Sequence, residues 1–164
     1  MTDFGVIQSK AADVIKRCLS LGQKVVTAES CTGGLVSGAL TGISGASGVV
    51  DRGFVTYSNE AKSDMLGIDP FLIAQNGAVS EHVARAMAEG ALARSLADIS
   101  VSITGIAGPG GGTDSKPVGL VHFACSKKGA STIHCERRFG DIGRENVRTA
   151  AVIQALDLIS EMTR

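Results

Sequence analysis

Hydrophobic positions recur at intervals of three and four residues along much of the chain, and this spacing predicts amphipathic helices. Glycines end two of them, since Gly22 follows the first and Gly67 follows the third. Ser80 is suited to cap the fourth, because its hydroxyl can accept a hydrogen bond from an N–H of the first turn. The predicted helices cover residues 4–21, 35–40, 59–66, the segment after Ser80 with Val83, Ala84, Met87, Ala91 and Leu92 on one face, and 143–162.

Short stretches rich in Val, Ile, Phe and Thr lie between these helices and predict β-strands. They cover residues 24–29, 52–58, 98–104, 119–125 and 131–139. The last two are joined by Lys127-Lys128-Gly129, which favours an antiparallel hairpin. This order of elements predicts one domain of the α/β class over residues 1–164, an α/β/α sandwich whose mixed sheet is covered by helices on both faces.

Charge and composition narrow the choice of partners. Sixteen Lys and Arg offset sixteen Asp and Glu, and this zero net charge argues against a body that binds nucleic acid or an anionic membrane. Aromatic residues make up only 4% of the chain, too few for base-stacking platforms. No apolar stretch reaches the ~18 residues that a membrane span needs. The glycine content is unusually high: 21 of the 164 residues are glycine, about twice the usual share.

The cysteines and histidines give no sign of a metal or cofactor site. No two of the four cysteines have C-x-x-C spacing, and the three histidines lack the spacing of metal ligands. These residues are Cys18, Cys31, Cys125, Cys135, His82, His122 and His134. The first residues do not show the basic and apolar pattern of a secretory signal peptide, so we expect the protein to lie in the cytoplasm. Because the cytoplasm is reducing, we expect its cysteines to be free thiols.

The junction after the first strand is the first candidate site. It consists of Glu29, Ser30, Cys31, Thr32, Gly33 and Gly34. A helix N-terminus offers free N–H groups, and glycines let a ligand approach the backbone closely. A hydroxyl or thiol here could attack a carbonyl whose oxyanion these N–H groups hold. The same groups could instead hold a phosphate, or Ser30 or Thr32 could merely cap the helix.

The end of the second strand is the second candidate, with Tyr57, Ser58 and Asn59 followed by Lys62 on the first helical turns. Helical side chains lean toward the N-terminus, so Lys62 can reach back to the strand tips. A lysine acts as a general base only when it is neutral, which requires desolvation or a nearby cation to lower its pKa. The alternative is a solvated surface lysine.

A glycine-rich run after the third strand and an arginine pair complete the candidates. The run follows Thr104, extends from Gly105 through Gly108 to 112, and fits neither a Walker A nor a G-x-G-x-x-G pattern. It suits an anion nest or a lid, or is an ordinary surface loop. Arg144 and Arg148 share one face at the start of the last helix and suit a phosphate or carboxylate. Alternatively, one of them pairs with Asp141 or Glu145 on the surface.

Taken together, these segments resemble the CinA C-terminal domain, the nicotinamide-nucleotide amidohydrolase family. The matching residues are 28–34 (AESCTGG), 52–62 (RGFVTYSNEAK), 77–80 (GAVS), 104–109 (TGIAGP) and 116–119 (KPVG). The resemblance covers nearly the whole chain. Longer members carry an additional N-terminal domain that has no counterpart here, so we expect a stand-alone version.

The resemblance implies an α/β/α domain that hydrolyses the carboxamide of nicotinamide mononucleotide to the acid and ammonia, without a metal or cofactor. It implies Ser30 as the nucleophile and Lys62 as its partner. The family's arginines match Arg144 and Arg148, and the sequence leaves open which of the two is essential.

Chemistry adds roles for the neighbours of these residues. N–H groups near Thr32 to Gly34, together with the turn at Thr104 and Gly105, would hold the oxyanion. The glycine loop and an arginine would hold the 5′-phosphate, and Tyr57 or Glu29 would face the pyridinium. A homodimer is expected at the level of the family. Two alternatives stay open, namely Cys31 as the nucleophile and a nucleotide-binding module without catalysis, linked to competence or DNA damage.

Overall fold

The computed structural model describes residues 3–163, which form a five-stranded sheet with helices on both faces. The helices of this part of the chain are α1 (Asp3–Leu21), α2 (Leu35–Thr41), α3 (Asn59–Leu66), α4 (Pro70–Asn76), α5 (Glu81–Ala93) and α6 (Arg144–Met162), with a short 3-10 helix at Ala46–Gly48. The strands are β1 (Val25–Glu29), β2 (Val50–Val55), β3 (Ile99–Gly105), β4 (Leu120–Lys127) and β5 (Ile133–Arg138). The α/β class and the mixed sheet are therefore confirmed.

The sheet combines a parallel half with an antiparallel half, in the order β2-β1-β3-β4-β5. Strands β1, β2 and β3 are parallel, whereas β4 and β5 form the predicted antiparallel hairpin beside β3. Because parallel strands end at the same edge, Glu29, Val55 and Gly105 bring three chain segments together. Ligand crevices of α/β sheets form at such an edge.

Alternating side chains of the strands feed two apolar layers. Val25 packs into the layer formed with α1, α2 and α6, whereas its neighbour Val26 packs into the layer with α3, α4 and α5. The same alternation places Thr27 and Glu29 on the side of Val25, since successive strand residues point to opposite faces. Glu29 therefore emerges beside α2.

Strand β3 shows how α5 is held to the sheet. Its even-numbered residues are hydroxyl-bearing and fully or almost fully buried under α5. The hydroxyls of Ser100 and Ser102 donate to the carbonyls of Ala88 and Ala84 at 2.6 Å, and that of Thr104 donates to Ala78 at 2.8 Å. Burial without these acceptors would cost each hydroxyl its hydrogen bonds to water.

The strands and several helices differ from the sequence prediction by one to three residues at an end, and two helical segments were not predicted. Strand β2 begins at Val50 and ends at Val55 rather than covering 52–58, and Gly105 belongs to β3 rather than to the loop. Helix α4 and the 3-10 helix were not predicted. The signal for α4 was present, because Asp69 accepts the N–H of Phe71 as an N-cap, with a proline at the first helical position.

A close approach between α3 and α5 gives the first testable prediction. A Cβ at Gly90 would lie 2.3 Å from the carbonyl oxygen of Leu66, whereas a Cβ at Gly38, also in a helix, would meet no atom within 4 Å. Gly38→Ala should raise the free energy of unfolding by up to ~1 kcal/mol through helix propensity. Gly90→Ala should lower it by ~1–3 kcal/mol, because overpacking against backbone outweighs that gain. Urea unfolding compares the two, and equal stabilisation by both would contradict the observed packing.

Candidate active site

A serine that follows the end of β1 and a lysine from the first turns of α3 meet at the edge of the sheet. The Nζ atom of Lys62 lies 3.0 Å from the Oγ atom of Ser30, within hydrogen-bond distance. Nζ also donates to the carbonyl of Thr56 at 2.9 Å and lies 3.4 Å from that of Tyr57. Two carbonyls that only accept can take both hydrogens of a neutral amine, which leaves its lone pair for the hydroxyl hydrogen of Ser30.

Helix α3 delivers Lys62 to this position. The Ser58 side chain accepts the N–H of Ala61 at 3.0 Å and fixes the start of the helix. Lys62 lies in the first turns, and its side chain extends back past the helix start toward the strand ends. Strand pairing of β2 stops at Val55, and the next two carbonyls turn to the lysine. The alternative of a solvated surface lysine is wrong, because Lys62 is only 1% exposed.

Burial changes the protonation of the amine. Desolvation lowers the pKa of Lys62 below its ordinary value of 10.5, while the nearby Cys31 acts weakly in the opposite direction. No carboxylate within residues 3–163 forms an ion pair with this lysine. The neutral amine that a general base requires is therefore more accessible at Lys62 than at a surface lysine.

Backbone hydrogen bonds hold both the N–H and the carbonyl of Ser30 in its turn. The N–H of Ser30 donates to Ile103 of β3 at 2.9 Å, and its carbonyl accepts the N–H of Gly33 at 3.0 Å. Glu29, fully buried, accepts the N–H groups of Val36 and Ser37 at 2.9 and 3.1 Å. The prediction that Glu29 faces the substrate is thus wrong: its carboxylate anchors the N-terminus of α2.

The oxyanion prediction for Thr32 to Gly34 is contradicted only at Gly33, because the N–H groups of Thr32 and Gly34 donate to no carbonyl within residues 3–163. The N–H of Gly33 is bonded to Ser30, that of Leu35 donates to Thr32 at 3.0 Å, and the next two serve Glu29. The N–H of Cys31, the residue directly after Ser30, donates to no carbonyl in the described part of the chain. The same holds for Ala107 beyond the end of β3. Cys31 and Ala107 line the space beside Ser30 and Lys62, whereas Thr32 and Gly34 do not, so these two N–H groups are better placed to meet a developing oxyanion.

A cavity of about 250 Å³ opens beside the Ser30–Lys62 pair. It brings together many of the predicted residues from four parts of the chain. Its lining consists of Ser30, Cys31, Tyr57, Asn59, Lys62, Ala78, Val79, Thr104, Gly105, Ala107 and Arg144. A second cavity of about 320 Å³ shares Asn59 and lies between α3 and α4. A third, of about 460 Å³, shares Arg144 and is also lined by Leu35, Glu145, Arg148 and Thr149.

The two arginines make different contacts. Arg144 donates from Nη1 to the carbonyl of Gly108 at 2.8 Å and from Nη2 to the hydroxyl of Tyr57 at 3.2 Å. Arg148 donates from Nε to the carbonyl of Cys31 at 3.1 Å and from Nη2 to that of Thr32 at 3.4 Å. Neither forms an ion pair with a carboxylate among the described residues. The predicted surface pairing with Asp141 or Glu145 is therefore wrong.

Several predicted residues support the cavity without lining it. Thr32 is fully buried, Ser58 caps α3, and Gly108 offers its carbonyl to Arg144. Gly34 has a φ of 101° as the N-cap of α2, a conformation that side chains rarely adopt. Gly33, with a φ of 56°, closes the turn at Ser30. Glycines 110–112, expected near a ligand, do not line the cavity beside Ser30.

The cavity wall also includes residues that were not predicted as ligands. Ala78 and Val79 precede α5, and Ala107 follows β3. They carry no reactive group, so residue type gives no sign of their role. The position of Ala78 follows from the Thr104 hydroxyl, which donates to its carbonyl.

The thiol of Cys31 is a poor nucleophile in this environment. Its side chain is 6% exposed, and burial raises its pKa to about 11, so it is a neutral thiol near neutral pH.

The histidines do not line the cavity beside Ser30. His122 and His134 bond to each other at 2.9 Å. No three His, Cys, Asp or Glu side chains within residues 3–163 are grouped to hold a metal ion.

A family model described as the CinA C-terminal domain matches residues 7–163. The chain belongs to the CinA C-terminal domain family. The resemblance found in the motifs is therefore confirmed over almost the full length.

Solved structures of the CinA superfamily share the fold. The competence/damage inducible protein CihA from Agrobacterium tumefaciens is 51% identical with a TM-score of 0.96, over 100% of this chain and 98% of that one. A CinA superfamily protein from Escherichia coli is 34% identical with a TM-score of 0.91, over 99% and 93%.

A CinA-like protein of Synechococcus sp. (strain RCC307) is 49% identical over 152 residues, which is 92% of this chain and 36% of that protein. The chain spans about a third of the length of such curated relatives. Every helix within residues 3–163 is too short or too polar to cross a membrane.

The contacts of Glu29 give the second testable prediction. Glu29→Gln replaces one acceptor oxygen with a donor, which leaves one of the two buried N–H groups of α2 without a partner. We expect a loss of ~1–3 kcal/mol in the free energy of unfolding. The matched control is Glu89→Gln on the exposed side of α5, where the change should stay within ~0.5 kcal/mol. Equal free energies of unfolding for the two variants would contradict the role of Glu29 as a cap of α2.

Proposed function

We propose that this protein hydrolyses the carboxamide of nicotinamide mononucleotide to nicotinate mononucleotide and ammonia, with Ser30 as nucleophile and Lys62 as general base. The observation that carries the proposal is the 3.0 Å contact between Lys62 Nζ and Ser30 Oγ at the wall of a cavity. The motif resemblance supplies the substrate, and membership of the CinA family supports the comparison.

The first half of the reaction forms an acyl-enzyme. Neutral Lys62 accepts the hydroxyl proton of Ser30 while Oγ attacks the amide carbon. The N–H groups of Cys31 and Ala107 meet the oxyanion of the tetrahedral intermediate. Protonated Lys62 then donates its proton to the amide nitrogen, the C–N bond breaks, and ammonia leaves.

The second half regenerates the enzyme. Lys62, neutral again, accepts a proton from a water molecule that attacks the acyl carbon. The intermediate collapses with cleavage of the bond between Oγ and carbon, and Ser30 takes back its proton from Lys62. The carboxylate product leaves the cavity.

The rest of the substrate extends toward Arg144. Its guanidinium lines both the cavity at Ser30 and the adjoining cavity of about 460 Å³, so a group that carries a phosphate can pass from one to the other. Tyr57 is 62% exposed at the cavity wall and presents an aromatic surface to the pyridinium. Arg144 holds the hydroxyl of Tyr57 and so orients this ring.

A second candidate is a nucleotide-binding module that does not turn its ligand over. The same Arg144 contacts favour it, and some relatives carry names that refer to competence and damage. The two candidates differ in one observation, because only the enzyme releases ammonia in more than stoichiometric amounts.

We also propose that the protein is a homodimer in the cytoplasm. Light scattering on the purified chain tests the dimer.

Substitution of the two central residues is the third testable prediction. Ser30→Ala should reduce ammonia release from nicotinamide mononucleotide to background, and Lys62→Met should reduce kcat by ~100- to 10,000-fold. Cys31→Ala is the matched control and should keep kcat within a few-fold, because its buried thiol takes no part. Mass spectrometry of nicotinate mononucleotide provides the readout. Normal turnover by Ser30→Ala, or its loss in Cys31→Ala alone, would contradict the mechanism.

The fourth prediction concerns pH. The neutral form of Lys62 is the active base, so kcat/KM should rise as pH rises through its pKa and level off above it. Since burial lowers that pKa, the midpoint should lie below 10.5. The Cys31→Ala variant should show the same rise of kcat/KM with pH, because the titrating group is the amine of Lys62 and not the thiol of Cys31. A flat profile between about pH 5 and about pH 10 would exclude a lysine base.

A further inference from the structure

We propose that Arg148 is a positioning residue that holds the Ser30 turn in its reactive geometry, whereas Arg144 is the arginine that meets the anionic part of the substrate. This division rests on the proposed function. It gives separate roles to the two arginines, whereas the sequence left open which of them is essential.

The contacts of Arg148 are directed at the backbone that follows the nucleophile. Its guanidinium spans the carbonyls of Cys31 and Thr32, the two residues directly after Ser30, at 3.1 and 3.4 Å. A Cβ at Gly33 would lie 3.5 Å from Nη2, so the guanidinium also rests against the next residue of the turn. Arg148 does not line the cavity that contains Ser30 and Lys62, whereas Arg144 does.

These contacts set the orientation of the peptide planes. In a trans peptide the carbonyl and the following N–H point in opposite directions. Carbonyls of Cys31 and Thr32 that face Arg148 therefore send the N–H groups of Thr32 and Gly33 away from it, and Gly33 closes the turn onto the Ser30 carbonyl. Arg148 thereby fixes the backbone on which the Ser30 hydroxyl and the Cys31 N–H are mounted.

The shape of the guanidinium matters as much as its charge. Two nitrogens of one rigid group reach two successive carbonyls, and a lysine presents a single flexible ammonium instead. Arg148→Lys keeps the charge and removes the two-point contact. It is therefore the variant that separates alignment from electrostatic attraction of an anion.

The competing assignment has a structural basis of its own. Arg148 lines the adjoining cavity of about 460 Å³ together with Arg144, so an anionic group there could contact both. The two assignments predict different substrate dependence. Alignment of Ser30 affects every substrate equally, whereas a phosphate contact affects only substrates that carry the phosphate.

The fifth testable prediction uses two substrates that differ by this group, nicotinamide mononucleotide and nicotinamide riboside. Arg148→Lys should lower kcat for both by ~10- to 100-fold, as expected for a misplaced nucleophile, with the ratio of their kcat/KM values unchanged within ~2-fold. Arg144→Ala should instead lower that ratio at least ~10-fold, because it removes a charge-assisted contact. A similar fall in the ratio for Arg148→Lys, or an unchanged kcat, would overturn the positioning role.

A chemical probe keeps this test independent of the natural substrate. Phenylmethanesulfonyl fluoride reacts with an activated serine: Oγ bonds to sulfur, the S–F bond breaks, fluoride leaves, and the hydroxyl proton passes to Lys62. Intact mass should show labelling of Ser30 at least ~10-fold slower in Arg148→Lys than in the wild type. Arg138→Lys, an exposed arginine of β5, should label at the wild-type rate.

The outcomes separate the two proposals. Absence of ammonia from either substrate, with Ser30 labelled normally in the wild type and slowly in Arg148→Lys, would refute the proposed function and retain the positioning role. Equal labelling of Arg148→Lys and wild type would reject the positioning role whatever the substrate is. Circular dichroism melting of each variant checks that a slow rate does not reflect unfolding.

Discussion

The fold around the sheet edge depends on one costly arrangement, the burial of the Lys62 amine without a carboxylate partner among residues 3–163. A buried amine must find acceptors or lose its proton; here it finds acceptors, and burial lowers its pKa. The carbonyls of Thr56 and Tyr57, just beyond the end of β2, accept its hydrogens, while the N–H of Thr56 still donates to the carbonyl of Glu29 at 2.9 Å. The hydroxyl of Ser30 occupies the remaining direction. The end of β2, the first turns of α3 and the turn at Ser30 therefore meet at this nitrogen.

The turn after β1 obeys a complementary constraint, because its polar backbone groups are divided between two ionisable side chains. Glu29 takes N–H groups from the first turn of α2, and Arg148 takes carbonyls from the residues before it. Opposite charges thus hold opposite ends of the peptide dipoles in one short segment. The N–H groups of Gly33 and of the first turn of α2 are used internally, whereas those of Cys31, Thr32 and Gly34 donate to no carbonyl in the described part of the chain. Of these three residues, only Cys31 lines the cavity beside the nucleophile.

The sequence predicts the elements far better than the roles within them. Periodicity identified α1, α5 and α6, because burial of one face leaves a strong pattern, and the turn at Lys127-Lys128-Gly129 identified the β4–β5 hairpin. Helix α4 was missed although the Asp69–Pro70 cap marks its start. At the site, the position of Lys62 in the first turns of a helix predicted that its side chain extends back to the strand ends. Nothing local could reveal that Glu29 faces α2, because that depends on how β1 and α2 pack.

The glycine excess has a different explanation from the one that composition alone favours. Some glycines do shape the site, but others allow backbone segments to touch. A Cβ at Gly105 would meet the Leu120 carbonyl at 2.9 Å, and one at Gly119 would meet Gly140 at 2.2 Å. These contacts keep β3, β4 and the segment before α6 close together, and that closeness brings Arg144 to the cavity. Close packing of the backbone at Gly105 and Gly119 therefore contributes to the geometry of the cavity at the nucleophile.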